Sequence, residues 1–217
     1  MLTDADVAAI EARIRAFEAR TGAEAVTAVV PRSDRYHGLR WRAFAVGVAL
    51  AAFAVVLADI LRPDWMHAHA ILFAVATILG AGLACALLAT ISPAFERLFL
   101  QRERAEAEAR QRAKALFLAN ELFATPDRNA VLLLASRYER VAVVLGDRAY
   151  DGRVSAAEWN GIVDAMTPPF GTGDARAAFS AGLDALEALL VAKGFRGDGT
   201  ARNALPDHPL EPKVDDE

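Results

Sequence analysis

Apolar residues recur at three- and four-residue steps through Val7, Ile10, Ile14 and Phe17, which predicts a helix with one buried face. Thr3-Asp4-Ala5-Asp6 supplies its start: Thr3 can accept a backbone N–H, and Asp6 stands near the positive helix end. Glu11 and Arg15 form a favourable pair on another face, and Thr21-Gly22 supplies the stop. The pattern then changes to the β-branched run Ala25-Val26-Thr27-Ala28-Val29-Val30, a buried strand closed by Pro31. Two much longer apolar stretches follow, Trp41–Leu61 and Ala70–Ile91, joined by the polar turn Arg62–His69. The first carries charge only at Arg42 and Asp59, and the second carries none. Each is long enough to cross a bilayer, which takes about 20 mostly apolar residues.

Beyond this hairpin the pattern predicts one long charged helix from Ser92 to Ala124, turning apolar at Leu116, Phe117 and Phe123. Two continuous apolar runs come next, Ala130–Ala135 and Val141–Leu145, separated by the turn Ser136-Arg137-Tyr138-Glu139-Arg140. Such runs suit strands covered on both faces. Ser155, with Glu158 at the capping-box position, starts a helix running through Met166 that Thr167-Pro168-Pro169 is expected to break. Asp174 starts a last helix with Phe179, Leu183, Leu186 and Leu190 on one face, ending near Gly194. From Arg196 onward Gly, Pro and charges predict an extended or disordered tail. This order implies an α/β fold: a small mixed β-sheet of about three strands flanked by helices in three layers, with room for a further strand too short to see. One helix and one strand cannot bury a core alone. The hairpin (residues 39–92) is therefore expected to split one domain into residues 1–38 and 93–195, with 196–217 as tail.

Hydropathy and charge sharpen the hairpin. Mean hydropathy is +0.22 although the flanking sequence is heavily charged. Two helices apolar on every side are unusual for a soluble domain of this length, whose core helices keep a polar face. The acidic start Met1-Leu2-Thr3-Asp4-Ala5-Asp6 lacks the basic and apolar regions of a signal peptide. Arg32, Arg35, Arg40 and Arg42 precede the first span, while Arg97, Arg102, Arg104, Arg110, Arg112 and Lys114 follow the second; the turn holds only Arg62. Excess positive charge stays cytoplasmic, so both termini are expected inside a bacterial inner membrane and the turn outside. Trp41 and Trp65 fall at the expected interfaces. Small residues recur at Ala43, Gly47 and Ala51 and at Ala76, Gly80 and Ala84, stripes that would let the two spans approach closely. Asp59 at the membrane edge reads most simply as paired with Arg62 or reaching to water. The mixed-sign charges after the second span read as a solvated face, with some attraction to anionic lipid. A net charge of −4 and a pI near 5.6 argue against nucleic-acid binding.

Several segments together resemble bacterial membrane proteins with a TPM domain, specifically those in which a transmembrane hairpin splits it. They are Thr21–Val26, Arg32–Tyr36, Asn129–Leu134, Glu139–Arg148 and Arg202–Asp207, in this order over nearly the whole chain. The resemblance implies the three-layer fold described above. It implies activity less clearly, since some TPM domains are described as acid phosphatases or divalent-cation binders and others as assembly or accessory factors. Cation-binding members resemble an Asp-Asn-Gly turn before the second strand, with acidic residues in the turn after it. Here the first reads Arg128-Asn129-Ala130, and the second keeps only Glu139 between Arg137 and Arg140. A hard divalent cation wants several oxygen ligands, so basic residues there imply a degenerate metal site.

Other chemistry is sparse. His67 and His69 with Asp64 make a poor transition-metal site, and His37 and His208 stand apart in sequence. Cys85, the only cysteine, lies within a span. Gly171-Thr172-Gly173 precedes a helix but lacks the strand and lysine of a phosphate loop. The best polar cluster is expected at strand ends: Asp34, Asp127, Asn129, Asp147 and Arg148. Asp147 could serve as acid or base and Arg148 could grip an anion, although a structural Asp–Arg turn is the simpler reading. No metal and no cofactor is assigned. The expected role is a membrane-anchored, non-catalytic interaction or assembly module. Its expected partners are the lipid bilayer and a protein not identifiable from sequence, with homo-oligomerisation left open. The alternative is a membrane-anchored phosphatase acting on phosphomonoesters through Asp147 and Arg148.

Overall fold

The computed structural model describes residues 2–33, 36, 38–61, 69–197 and 205–210. It divides into two compact units, one built from Met1–Asp34 with Ala105–Glu217 and the other from Arg35–Arg104.

The first unit is organised by a three-stranded sheet in the order β1-β2-β3. Strand β1 (Glu24–Val30) runs parallel to β2 (Ala130–Ser136), and β3 (Val141–Gly146) returns antiparallel to β2. Every residue of β1 and β2 is buried, as continuous apolar runs require. Helix α1 (Asp4–Thr21) opens with the capping box of Thr3 and Asp6 and closes on Gly22, whose φ of 68° suits a residue without Cβ. Its Ile10, Ile14 and Phe17 share one core with Val131, Leu133 and the apolar faces of α6 (Ala156–Gly171) and α7 (Ala175–Ala192). On the other face of the sheet, Ala109, Ala113 and Leu116 of α5 (Arg102–Ala119) lie against Val26, Ala28, Leu132 and Leu134. The result is helix, sheet, helix: a three-layer α/β domain. Glu187 of α7 accepts hydrogen bonds from Arg13 and Arg20 of α1, fastening residues distant in sequence.

Two boundaries depart from the sequence pattern. The stretch expected as one helix from Ser92 to Ala124 is interrupted. Ser92 is extended (φ −113°, ψ 103°), as the residue before Pro93 prefers, and its side chain caps α4 (Pro93–Glu96) at Phe95 N–H. A tight turn at Arg97–Phe99 and an extended Leu100 intervene before α5, and left-handed Glu121 (φ 50°) follows it. Conversely, Pro168 and Pro169 do not break α6, which continues to Gly171. Both prolines fall in the last turn, where the carbonyls they leave unpaired are close to water, and burial of Phe170 in the core holds the helix on course.

The tail is extended where it is described. Leu210 forms a single parallel bridge to Ala28 on the outer edge of β1, a fourth strand reduced to one residue.

The second unit is a helical hairpin, α2 (Gly38–Leu61) and α3 (Ala70–Ile91), followed by α4. Both helices are long and apolar enough to cross a membrane, and only 11% and 6% of their most apolar windows is buried, the reverse of a soluble core helix. The turn that joins them, with Arg62, Asp64, Trp65 and His67, lies outside the described residues, as do the expected partner of Asp59 and His37.

Close approach of the helices uses Ala43 and Gly47 of α2, as the small-residue stripe predicts. On α3 the buried positions are Gly82 and Ala89, not Ala76, Gly80 and Ala84. A Cβ on Gly47 would meet Cys85 Sγ at 2.8 Å and Ala81 O at 2.9 Å, and one on Gly82 would meet Val48 at 2.6 Å. A Cβ on Gly80 would meet nothing within 4 Å. The i, i+4 spacing occurs on both faces of this Ala-rich helix, and the large partners Phe44 and Val48 select the face carrying Gly82. Gly47→Leu should therefore destabilise the hairpin by about 1–3 kcal/mol, as overpacking does. Gly80→Leu should be tolerated. Thermal unfolding of both variants in detergent checks the difference.

Candidate functional site

Asp127, Asn129, Asp147 and Arg148, singled out from sequence, fall at the end of the sheet where β1 and β2 begin and β3 finishes. Arg128 precedes β2 with left-handed backbone (φ 51°), which turns its side chain across the sheet end. Its guanidinium meets Asp147, the residue after β3, in a two-pronged bond: Nε to Oδ2 at 2.7 Å and Nη2 to Oδ1 at 2.9 Å. Asp147 also accepts the Arg148 backbone N–H at 2.8 Å. Only 7% of Asp147 is exposed. Burial alone would raise its carboxyl pKa, but the hydrogen bonds from Arg128 and Arg148 N–H outweigh it and hold the group below the usual carboxylate range.

Asn129 is a structural hub. Its side-chain amide donates to Gly22 O at 2.6 Å, and its own carbonyl accepts from Tyr150 O–H at 2.6 Å and Glu24 N–H at 3.3 Å. One residue thereby ties the end of α1, the start of β1 and the turn after β3. Asp127 is exposed on the turn before Arg128, and the Arg148 side chain points to solvent. Asp34 lies outside the described residues. The structure thus brings Asn129 and Asp147 together, with Arg128 rather than the Arg148 side chain as the ionic partner. The pairing escaped sequence reasoning because Arg128 and Asp147 stand at opposite ends of a hairpin.

The opposite end of the sheet holds a separate hydrogen-bond clasp. Glu139, in the turn after β2, accepts the Ser33 N–H at 2.8 Å and the Ser136 hydroxyl, and Ser33 Oγ donates to Ser136 Oγ at 2.9 Å. Arg32 stacks over the Tyr138 ring at 4.0 Å. The residues expected to correspond to a cation site therefore do not form one. Asn129 and Glu139 are separated by the length of β2, about 20 Å at ~3.3 Å per residue. Arg128 adds a guanidinium at one end, and both Glu139 oxygens are committed at the other. These donors do not fit a hard divalent cation.

A third polar group was not foreseen. Glu18 of α1 is only 5% exposed and accepts the Ala25 N–H at 3.1 Å on the outer edge of β1. Burial, reinforced by Glu24 and Asp207, pushes its pKa up to about 7 against the favourable pull of Ala25 N–H and Arg15. The only sequence signal was an acidic residue at a position adjoining the apolar face of α1.

A small mixed sheet with one helix on one face and three on the other defines a compact three-layer α/β domain. The TPM-domain family model matches residues 97–189, so the chain carries a TPM domain. The solved NMR structure of the BA42 protein from the psychrophilic bacterium Bizionia argentinensis is similar, with a TM-score of 0.59. It shares 15% sequence identity, and the match covers 98% of this chain and 96% of that one, a likeness of fold. No curated protein matches the chain.

Two outcomes follow from the site. Arg128→Ala should lower the thermal midpoint more than Arg148→Ala, because it strips the buried Asp147 carboxylate of its ionic partner; differential scanning fluorimetry of both variants checks this. Glu18 binds more protons folded than unfolded between pH 4.5 and about 7, so its contribution makes stability fall as pH rises through that window. Glu18→Gln should keep the bond from Ala25, flatten that part of the stability–pH profile and raise stability at pH 8 by up to about 3 kcal/mol. Urea unfolding at pH 5 and pH 8 reads the difference.

Proposed function

We propose that the protein is a membrane-anchored, non-catalytic interaction or assembly module. The observation that carries this reading is the commitment of Asp147. This carboxylate, the sheet-end group singled out for acid–base work, is held ionised by Arg128 and by the Arg148 N–H, and it is nearly closed to solvent. A general base must reach a substrate proton, and an arginine clamp on both oxygens works against that.

In this reading α2 and α3 lie in a bacterial inner membrane with both chain termini in the cytoplasm. Their outward apolar residues support it, among them Leu50, Phe53, Leu72 and Phe73. So does the concentration of Arg40, Arg42, Arg97, Arg102 and Arg104 at the ends of the helices away from the turn. The TPM domain would then be open to a protein partner on the cytoplasmic side.

Phosphomonoester hydrolysis by the detergent-solubilised full chain tests the central point. Wild type and Asp147→Ala are expected to show the same background rate. A wild-type rate at least tenfold above background, lost in Asp147→Ala, would overturn the reading in favour of a phosphatase. Cross-linking in intact membranes would then identify the partner.

A further inference from the structure

The outer edge of β1 is occupied by this chain's own residues 205–210, Leu-Pro-Asp-His-Pro-Leu. Leu210 N–H donates to Thr27 O at 2.8 Å, and Val29 N–H donates to Leu210 O at 2.9 Å. Farther along the same edge Glu18 takes the Ala25 N–H, so the segment's backbone pairs only with the second half of the strand. Side chains hold the rest at spaced points. Leu205 N–H reaches Glu24 Oε2 at 3.3 Å, Asp207 pairs with Arg15 at 3.2 Å, and His208 Nδ1 lies 3.1 Å from Glu11 Oε1. Pro209 is buried, while Leu205 and Leu210 pack against the core beneath α5.

This is the arrangement by which extended peptides add to a sheet: backbone bonds supply the hold, and alternate pockets and charges supply the choice. The backbone hold is slight, a single bridge, to which the Asp207–Arg15 pair, the His208–Glu11 contact, the Leu205–Glu24 bond and the packing of Leu205, Pro209 and Leu210 add. Its persistence comes from tethering, because a segment on the same chain is presented at high effective concentration. A strand edge released from such a segment is a template for another strand.

We infer that the β1 edge is a peptide-docking site for an extended partner segment with apolar residues five positions apart and an acidic residue between them. Residues 205–210 occupy it in cis as a removable strap. The inference rests on the interaction-module reading and deepens it by naming the surface. Hydrolysis assays do not bear on it, so the two fail separately.

The test uses full-length protein in detergent and a fluorescent peptide of residues 203–212. Leu210→Asp removes the apolar anchor of the strap, and Asp207→Arg reverses the charge facing Arg15 with little effect on folding. Both variants should bind the peptide at least tenfold more tightly than wild type. A peptide carrying Arg in place of Asp207 should bind them at least tenfold more weakly, and Arg15→Glu in the protein should restore its binding. Hydrogen exchange at the Val29 amide should accelerate in both variants and slow again on adding peptide. If Leu210→Asp unfolds, Asp207→Arg alone decides. Wild-type exchange at Val29 with no peptide binding in a folded variant overturns the inference, as does equal binding to wild type.

Discussion

The parallel pairing of β1 with β2 is the constraint on which the rest depends. It joins Glu24 to Ala130 and Val30 to Ser136, and it places α1 and α7 on one face of the sheet and α5 on the other. Parallel strands need a crossover, and this one carries an entire helical hairpin as well as α5. Residues 35–104 lengthen the connection about threefold, and loop-closure entropy charges only about 1 kcal/mol for that. The real cost is lower still. Antiparallel α2 and α3 pack along their length, with Leu39 and Ala89 buried at the same end, so the insertion brings its own two ends together. A self-closing insertion disturbs the β1–β2 register very little.

Both ends of that pairing are fastened by polar contacts. At one end Asn129 binds the chain leaving α1 to the chain leaving β3, and Arg128 locks Asp147. At the other, Glu139 and Ser136 hold Ser33, three residues past the end of β1, against the β2–β3 turn. The second clasp occupies the carboxyl ends of the parallel strands, where such a sheet usually offers its chemistry to ligands. Here its donors and acceptors are spent on one another. Arg128, just before β2, and Arg140, just before β3, are left-handed, which costs a non-glycine residue about 1 kcal/mol or more. At Arg128 the return is the ionic bond to Asp147.

Local features were legible in the sequence because their causes are local. The capping boxes of Thr3 with Asp6 and Ser155 with Glu158, the Gly22 stop and the two buried runs of β2 and β3 each need only a few neighbouring residues. What escaped depends on residues brought together by the fold. Pro168 and Pro169 read as a helix break until Phe170 is seen to belong to the core. Ala76, Gly80 and Ala84 read as a contact stripe until Phe44 and Val48 claim Gly82 instead. The Arg128–Asp147 bond spans a whole hairpin, and Glu18 acquires its environment from Glu24 and Asp207, one of them near the far end of the chain.

The two edges of the sheet explain why the strap matters to the domain. In a three-stranded sheet only β2 is paired on both sides, yet β1 is as thoroughly buried as β2. Its outer edge cannot be left bare, because unpaired backbone groups removed from water are costly. Glu18 covers that edge at Ala25 and the strap covers it at Thr27 and Val29, so a side chain and a distant backbone segment share the work of a missing fourth strand. A full strand would seal the edge permanently. A single bridge satisfies the same groups while leaving them exchangeable.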